Sequence, residues 1–273
     1  MTIVSRHVFA AFLSFAALGA ASSIAVAADA PTATAAPATA APPAASYVIP
    51  AGIPKYIRSA VESPGRSAEA KARDANRKPA EVLALSGVKP GDKVVEFASF
   101  GQYFTAMLSD IVGPKGVVYM YDLPYTEARS GAASRAFVAA HANSKYELVD
   151  YNALKLPEKV DIVFNVLYYH DLPLNNIDTA SLNKRIFDAL KPGGIFFVVD
   201  HNAAPGSGTT DTKKLHRIDP EVIKKEVTAA GFELVEQSKL LAHAEDDHTQ
   251  IVFAPGLRGL TDQTIFKFRK PKK

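Results

Sequence analysis

No cysteine occurs among the 273 residues of the chain. Without thiols the chain has no disulfide bonds, no thiolate for catalysis and no cysteine that could carry a lipid anchor. Hydrophobic residues make up 48% of the sequence and charged residues 22%, which is ordinary for a globular protein. Stability must therefore come from a buried apolar core.

An excess of charge of one sign is also lacking. The 31 Lys and Arg residues against 28 Asp and Glu residues give a formal net charge of +3. Basic residues are scattered along the chain, apart from a short tail at Lys270, Lys272 and Lys273. Because nucleic-acid binding requires a concentrated basic surface, we expect no nucleic-acid partner.

Long apolar runs are absent except near the N-terminus. Residues 8–26 are apolar or small, and residues 25–27 (AVA) supply a cleavage signal. This pattern predicts a secretory signal peptide over residues 1–27, with cleavage after Ala27. An uncleaved membrane anchor is the alternative, and the Ala- and Ser-rich composition of the run disfavours it. We therefore expect a periplasmic or secreted protein with no stable membrane insertion after cleavage.

The segment after the signal peptide is compositionally simple. Residues 28–46 are almost only Ala, Pro and Thr, with Asp29 as the only charge. Such a segment cannot bury a core, which predicts a disordered linker. The globular domain is expected over residues 47–273.

Apolar segments alternate with helical ones in that domain, which is typical of a parallel sheet covered on both faces. The last two strands lack a long helix between them, so we expect them to pair antiparallel. The predicted fold is α/β, with a doubly wound, mostly parallel seven-stranded sheet, an antiparallel last strand and ligands at the carboxyl ends of the strands. Strands are predicted at 93–97, 117–122, 145–149, 160–169, 195–200, 232–241 and 264–269, and helices at 66–86 with a break at Pro79, 103–112, 127–140, 179–190 and 220–230.

The order of these parts resembles the class I S-adenosylmethionine-dependent methyltransferases, which have a Rossmann-like fold. More closely, it is similar to a group of predicted secreted methyltransferases. The resemblance covers residues 72–271, most of the predicted domain. It is carried by the stretches ARDANRKPAEVLALSGVKPGDKVVEF, VFNVLYYHDL, ALKPGGIFFVVDH, LHRIDPEVIKKEVTAAGFELV, DDHT and FKFRKP.

The resemblance implies S-adenosylmethionine as cofactor and a set of residues that hold it. Glu96 would lie on the methionine side and Asp122 would accept hydrogen bonds from the ribose hydroxyls. Asp150 would lie near the adenine amino group, and Asn165 would border the sulfonium. A carboxylate offers two acceptors to the two donors of a ribose diol, which is the chemistry expected of Asp122. The alternative for Asp122 is a helix cap.

The loop after Glu96 departs from the pattern of the family, which usually has several glycines there. Here the positions hold Ala98, Ser99, Phe100, Gly101 and Gln102. Glycine permits positive φ and leaves room where the backbone meets a ligand. Ala98 is small and Gly101 can still form the bend, so both are assigned to the cofactor site. Either the loop opens outward and the cofactor binds, or Phe100 fills the pocket and the domain binds a ligand without catalysis.

Histidines and acids follow the fourth and fifth predicted strands. Because these strands are neighbours in a doubly wound sheet, the pairs at 170–171 and 200–202 should lie close together, and His216 would join them. We assign His170, Asp171 and His201 as catalytic residues. A histidine would remove a proton from the acceptor, and an adjacent aspartate would orient it.

Two alternatives remain for these residues. Asp171, Asp200 and Asn202 form an oxygen-rich set for Mg²⁺ or Ca²⁺ that resembles the metal site of catechol-type methyltransferases, and adding His170 or His201 would favour a transition metal. Helix capping and loop hydrogen bonds are the other explanation. The predicted function is methyl transfer to a small-molecule acceptor in the cell envelope. A non-catalytic ligand-binding domain and a metal-dependent activity of another type are the alternatives.

Overall fold

The computed structural model describes residues 46–272. The predicted signal peptide, and the predicted linker except Ser46, lie outside the described residues. Within residues 46–272, no helix combines the length and the apolar composition needed to cross a membrane.

A seven-stranded sheet with the order β3-β2-β1-β4-β5-β7-β6 forms the centre of the described domain. Strand β7 runs antiparallel to both of its neighbours, and the other strands run parallel to one another. The predicted doubly wound sheet with an antiparallel last strand is confirmed. The strands are β1 (Lys93–Phe97), β2 (Val117–Asp122), β3 (Ser144–Leu148), β4 (Val160–Val166), β5 (Leu190–His201), β6 (Glu233–Ser238) and β7 (Gln263–Arg269).

Helices cover both faces of this sheet, and their ends follow local sequence signals. Asp219 caps the last of them by accepting a hydrogen bond from the Glu221 amide, and Pro220 occupies its first turn. The helices are α1 (Lys55–Glu62), α2 (Ala68–Lys71), α3 (Asp74–Arg77), α4 (Pro79–Ser86), α5 (Tyr103–Val112), α6 (Ala132–Ala140), α7 (Thr179–Ala189), α8 (Thr212–Leu215) and α9 (Pro220–Ala229).

Several predicted boundaries were wrong, including the start of β5, which is Leu190 rather than residue 195. The helix predicted over residues 66–86 is three short helices, because the chain breaks near Arg73 as well as at Pro79. Strand β4 ends at Val166 rather than at residue 169, because Leu167 has a left-handed backbone with φ of 58°. The strand predicted over residues 232–241 is the shorter β6. The sequence prediction also missed α1.

Two apolar clusters hold the layers together. On one face, side chains such as Val94 and Phe164 pack against α1, α4 and α5, and on the other Phe97 and Val163 pack against α7 and α9. Strands β1, β4 and β5 are adjacent and in register, with Phe97 opposite Asn165 and Asn165 opposite Val198. Their carboxyl ends therefore meet at one edge of the sheet, where the polar residues lie.

Candidate active site

A cleft of about 520 Å³ opens at the carboxyl ends of β1, β4 and β5. One wall is formed by the loop after β1 and the start of α5, and the opposite wall by the segment that connects β6 to β7. The lining of the cleft includes Arg73, Arg77, Glu96, Ala98, Ser99, Phe100, Gly101, Tyr103, Phe104, Arg129, Leu167, His170, Asp171, His201, His216, Val252, Phe253 and Arg258.

Glu96, at the end of β1, is buried at the floor of this cleft. The Thr105 hydroxyl donates a hydrogen bond of 2.6 Å to its carboxyl group. Burial, and to a smaller extent the charge of Asp122, raise the pKa of Glu96 to about 8 against the opposing effects of Thr105 and Arg77. The carboxyl group is therefore mostly protonated at neutral pH.

The loop at residues 98–102, called the β1 loop below, has an unusual backbone. Ala98, Gly101 and Gln102 have φ values of 56°, 90° and 46°. Only one of these three residues is glycine, so the loop keeps the left-handed backbone of a glycine-rich turn with side chains present. The Ala98 amide donates to the Tyr121 carbonyl at 3.1 Å, which fixes the loop to β2.

Phe100 lies on the wall of the cleft and is half-buried. Its ring makes an edge contact with Tyr168, with centroids 6.0 Å apart, and the Arg129 guanidinium lies 4.6 Å from its centroid. The phenylalanine therefore narrows the cleft from one side and leaves about 520 Å³ open.

Asp122, the residue assigned to the ribose, lies beneath the β1 loop. Its Oδ1 accepts hydrogen bonds from the amide and the hydroxyl of Ser99, at 2.7 and 3.0 Å. Its Oδ2 is buried and has no hydrogen-bond partner among the described residues, and burial raises its pKa. An unpaired, buried carboxylate oxygen fits a ligand hydroxyl, because leaving it unpaired is costly. Asp122 is fully buried and does not line the cleft, so the β1 loop, including Ser99, must move before a ribose can reach it.

Asp150 and Asn165 do not line the cleft in this structure. Asp150 is exposed, and its carboxylate accepts from the Asn152 amide at 2.9 Å and so caps a short 3₁₀ turn, Tyr151–Ala153. Asn165 is fully buried in β4, and neither atom of its amide group has a hydrogen-bond partner among the described residues. Of these two residues, Asn165 retains free hydrogen-bonding capacity.

Asp200 and His170 form a buried pair on the other side of the cleft. His170 Nδ1 lies 2.6 Å from Asp200 Oδ1, and the His170 amide donates to Oδ2 at 2.7 Å. Burial would lower the pKa of His170, but the charge and hydrogen bond of Asp200 outweigh it and raise the pKa. A carboxylate can only accept a hydrogen bond, so His170 Nδ1 carries the proton that they share. The other ring nitrogen, Nε2, faces Asp171 and His216.

His201, also assigned as catalytic, lies in the cleft without a charge. Burial lowers its pKa to about 3, although Asp200 opposes the shift, and its Nδ1 lies 2.7 Å from the Thr261 hydroxyl. A histidine with this pKa is a weak base, so His201 presents a neutral imidazole at every pH at which proteins usually function.

The oxygen-rich metal set, one of the alternatives that the sequence left open, is not formed by the side chains as they lie among the described residues. Asp200 Oδ2 accepts a hydrogen bond from the His170 amide, and Oδ1 accepts from His170 Nδ1 and the His201 amide. The Asn202 side chain donates to the Asp262 carboxylate at 2.7 Å. The side chains that do converge are His170, Asp171 and His216, whose ligand atoms lie within 4.8 Å of one another.

Three arginines that the sequence analysis did not single out line a second compartment of about 530 Å³ next to the cleft. Arg73, Arg77 and Arg258 have no carboxylate within ion-pair distance among residues 46–272, unlike Arg66, which pairs with Asp74. No acidic residue of the described chain lines this compartment. We call it the arginine compartment.

Arg77 is the most perturbed of the three arginines. Burial, and then the charge of Arg73, lower the pKa of Arg77 to about 10, and its guanidinium lies 4.4 Å from the centroid of the Tyr103 ring. The spacing of Arg73 and Arg77 in RDANR was the only available sequence signal. Nothing in the sequence indicated Arg258, which is far away in the chain.

Part of the chain is similar in sequence to known methyltransferases. Residues 74–207 match the model of the ubiE/COQ5 methyltransferase family. The chain is 30% identical over 118 residues to the ubiquinone/menaquinone biosynthesis C-methyltransferase UbiE of Pasteurella multocida (strain Pm70), covering 43% of each chain. It is 27% identical over 168 residues to the protein of the same name from Photorhabdus laumondii, covering 60% of this chain and 65% of that relative. It thus spans less than two thirds of both relatives.

Solved structures share the fold at low sequence identity. A SAM-dependent methyltransferase from Aquifex aeolicus superposes with a TM-score of 0.51 at 16% identity, over 70% of this chain and 88% of that one. The cyclase SpnF superposes with a TM-score of 0.54 at 17% identity, over 78% and 86%. The chain therefore has the fold of the class I S-adenosylmethionine-dependent methyltransferases and is related in sequence to their ubiE/COQ5 family, whose cofactor is S-adenosylmethionine.

Proposed function

We propose that the protein transfers a methyl group from S-adenosylmethionine to a small-molecule acceptor. The observation that carries this proposal is Asp122, a buried acid at the end of β2 with one carboxylate oxygen unpaired beneath the β1 loop. A strand-end acid with free acceptor capacity is the group that a ribose diol requires.

The chain would hold the cofactor from three strand ends. Asp122 would accept from the ribose, Glu96 would face the methionine part, and Asn165 would lie near the sulfonium. The bound cofactor would supply a methyl group that its sulfonium already activates. Ala98 and Gly101 allow the β1 loop the bend it needs, and Ser99 must leave Asp122 for the ribose to enter. The remaining task of the chain is to align the acceptor in the cleft.

The acceptor that fits this site carries an oxyanion, such as a carboxylate or a phosphate. Arg73, Arg77 and Arg258 offer planar guanidinium groups that form no ion pair within residues 46–272, and such groups bind oxyanions through paired hydrogen bonds. Leu167 and Phe253 line the same compartment and would contact an apolar body. The β1 loop does not line it, so the acceptor would lie away from the cofactor loop.

Calorimetric titration of the purified protein with S-adenosylhomocysteine tests the cofactor site. We expect micromolar binding that Asp122→Asn weakens by about tenfold or more, because a charged acceptor is lost. Asp110→Asn, on the exposed side of α5, is the matched control and should bind as the native protein does. If only a Phe100→Gly variant binds, the phenylalanine has closed the site, and the alternative of a non-catalytic ligand-binding domain is supported instead.

Benzoate and phenyl phosphate, with benzyl alcohol as the uncharged comparison, test the arginine compartment in the same assay. We expect the charged probes to bind and Arg258→Gln to abolish that binding while leaving S-adenosylhomocysteine binding unchanged. Arg185→Gln, in α7 and outside the compartment, is the control. Equal binding of benzyl alcohol and benzoate would contradict an oxyanion acceptor.

We also propose that the protein is exported and works in the cell envelope. The apolar run at residues 8–26 and the small residues at 25–27 support this proposal. Mass spectrometry of the protein from envelope fractions should give a chain that begins at Ala28. A full-length chain confined to the cytoplasmic fraction would refute export.

A further inference from the structure

Three ligand atoms converge at the acceptor side of the cleft. His170 Nε2 and Asp171 Oδ1 are 3.3 Å apart, His216 Nδ1 and Asp171 Oδ1 are 3.1 Å apart, and the two ring nitrogens are 3.3 Å apart. The atoms therefore form a nearly equilateral triangle. His170 and Asp171 lie in the 3₁₀ turn Tyr169–Asp171 after β4, and His216 is the residue after α8. The triangle is therefore formed by parts of the chain that are distant in sequence.

We propose that His170, Asp171 and His216 bind a divalent transition metal ion. Ligands about 2.0–2.1 Å from a tetrahedral ion lie about 3.3 Å from one another, and around an octahedral ion about 3.0 Å. All three edges of the observed triangle lie in or close to this range. Two imidazoles and one carboxylate are the donor set of zinc and of non-haem iron sites.

One edge of this triangle, between His216 Nδ1 and His170 Nε2, is a hydrogen-bond contact, whereas the two edges to Asp171 Oδ1 are not. His170 Nδ1 is engaged by Asp200, so Nε2 is the ring nitrogen that faces the other two atoms. Asp171 Oδ1 is buried and accepts no aligned hydrogen bond within the described chain, although two ring nitrogens lie beside it. A cation between the three atoms would satisfy all of them at once.

Asp200 supplies the outer support that a metal-binding histidine usually has. Its carboxylate oxygen lies 2.6 Å from His170 Nδ1, and it also accepts from the amides of His170 and His201. A carboxylate in this position fixes the tautomer and the ring orientation of a metal-binding histidine. On this assignment Asp200 is a positioning residue rather than a ligand.

Three protein ligands leave at least one coordination position free, as in catalytic rather than structural metal sites. All three ligand residues line the cleft, so the free position faces the cleft, next to the arginine compartment in which the acceptor is proposed to lie. An oxygen atom of the acceptor would occupy this coordination position. The metal site itself does not depend on the proposed methyl transfer.

Metal titration of the purified, chelator-stripped protein tests this inference. We expect one Zn²⁺ per chain, little competition from Mg²⁺, and visible d–d absorption when Co²⁺ replaces Zn²⁺. His216→Ala should weaken Zn²⁺ binding by about 100-fold or more, and Asp200→Asn by about 10-fold to 100-fold. His243→Ala, a histidine outside the cluster, should bind Zn²⁺ as the native protein does.

Thermal unfolding of the metal-free variants separates loss of the site from loss of the fold. A His216→Ala variant that unfolds at the native temperature and binds Zn²⁺ as tightly as the native protein would overturn the metal site. Absence of Zn²⁺ binding by the folded native protein would overturn it as well. Binding of S-adenosylhomocysteine by the metal-free protein tests the proposed function separately, so either idea can fail without the other.

Discussion

At the scale of single residues, Glu96 combines two unusual properties. It is a buried carboxyl group with a pKa raised to about 8, and it lies in a cleft that also contains arginines. A buried acid near the operating pH is typical of a functional site, because folding alone rarely retains such a group. A ligand cation beside Glu96 would favour its ionised form and would therefore release a proton on binding.

Glu96→Gln should change how stability depends on pH. The folded-state pKa of about 8 lies above the ordinary value of 4.5 for a glutamate, so the folded protein binds more protons between these values and loses stability as the pH rises through this window. We expect the free energy of unfolding of the native protein to fall by up to about 1.4 kcal/mol per pH unit relative to that of the variant, whose side chain at position 96 does not titrate. Urea unfolding between about pH 5 and pH 8 measures this difference.

Glu62→Gln serves as the control for that experiment, because Glu62 is an exposed glutamate of α1. Its pH dependence should match that of the native protein. Parallel curves for the native protein and Glu96→Gln would mean that Glu96 ionises normally in the folded state.

The sequence predicted some site residues and missed others for a physical reason. Glu96 and His201 lie at the ends of β1 and β5, and His170 lies in the turn that follows β4, so the sheet topology brings them to one edge. Arg258 enters the cleft only because the segment between β6 and β7 folds back over the sheet, and no local pattern encodes that path. Asp150 was placed at a strand end correctly, but its carboxylate is used by the turn that follows.

At the scale of elements, the β1 loop carries local backbone strain. Ala98 has φ of 56°, which is unfavourable for a residue with a Cβ atom. Ala98→Gly should relieve this cost, and the greater flexibility of the unfolded glycine offsets part of the gain. We expect a net stabilisation of about 0.5–1 kcal/mol in urea unfolding.

Ala84→Gly is the matched control for the loop variant. Ala84 lies in the right-handed helix α4, where the same substitution should destabilise the protein by about 1 kcal/mol. A similar destabilisation by Ala98→Gly would mean that the left-handed backbone of the loop is not maintained in solution.

Element positions were predictable where periodicity and end signals agree. Helix α9 has Asp219 and Pro220 at its start and Gly231 after its end, and its bounds were predicted to within one residue. The segment at residues 66–86 has a helical pattern throughout, yet Lys78 adopts a left-handed backbone and the chain turns near Arg73. That geometry follows from tertiary contacts, such as the buried pair of Arg66 and Asp74, which a pattern does not reveal.

At the scale of the whole molecule, the buried pair of Arg217 and Asp246 holds the β6–β7 segment to the sheet edge. The guanidinium donates two hydrogen bonds to the carboxylate, at 2.8 and 2.9 Å, and a third to the Asn202 carbonyl. Burial would raise the pKa of Asp246, but Arg217 and two backbone amides lower it, so its stabilising contribution is lost as the pH falls through the folded-state pKa.

Asp246→Asn should destabilise the protein strongly, because it leaves a buried guanidinium without its counter-charge. We expect a loss of about 3–5 kcal/mol in the free energy of unfolding, measured in urea. Glu233→Gln, which breaks the exposed pair with Arg269, should cost less than about 1 kcal/mol. Similar losses for the two variants would contradict the structural role of the buried pair.

The position of β7 has a consequence for the order in which the molecule is made. β7 lies between β5 and β6, and residues 252–258 of the cleft precede it directly in the chain. During synthesis the sheet stays incomplete, and the cleft lacks one wall, until residues 252–269 have left the ribosome. A nascent chain without its closing strand is threaded through a translocation channel more easily than a finished sheet, which suits the export that we propose.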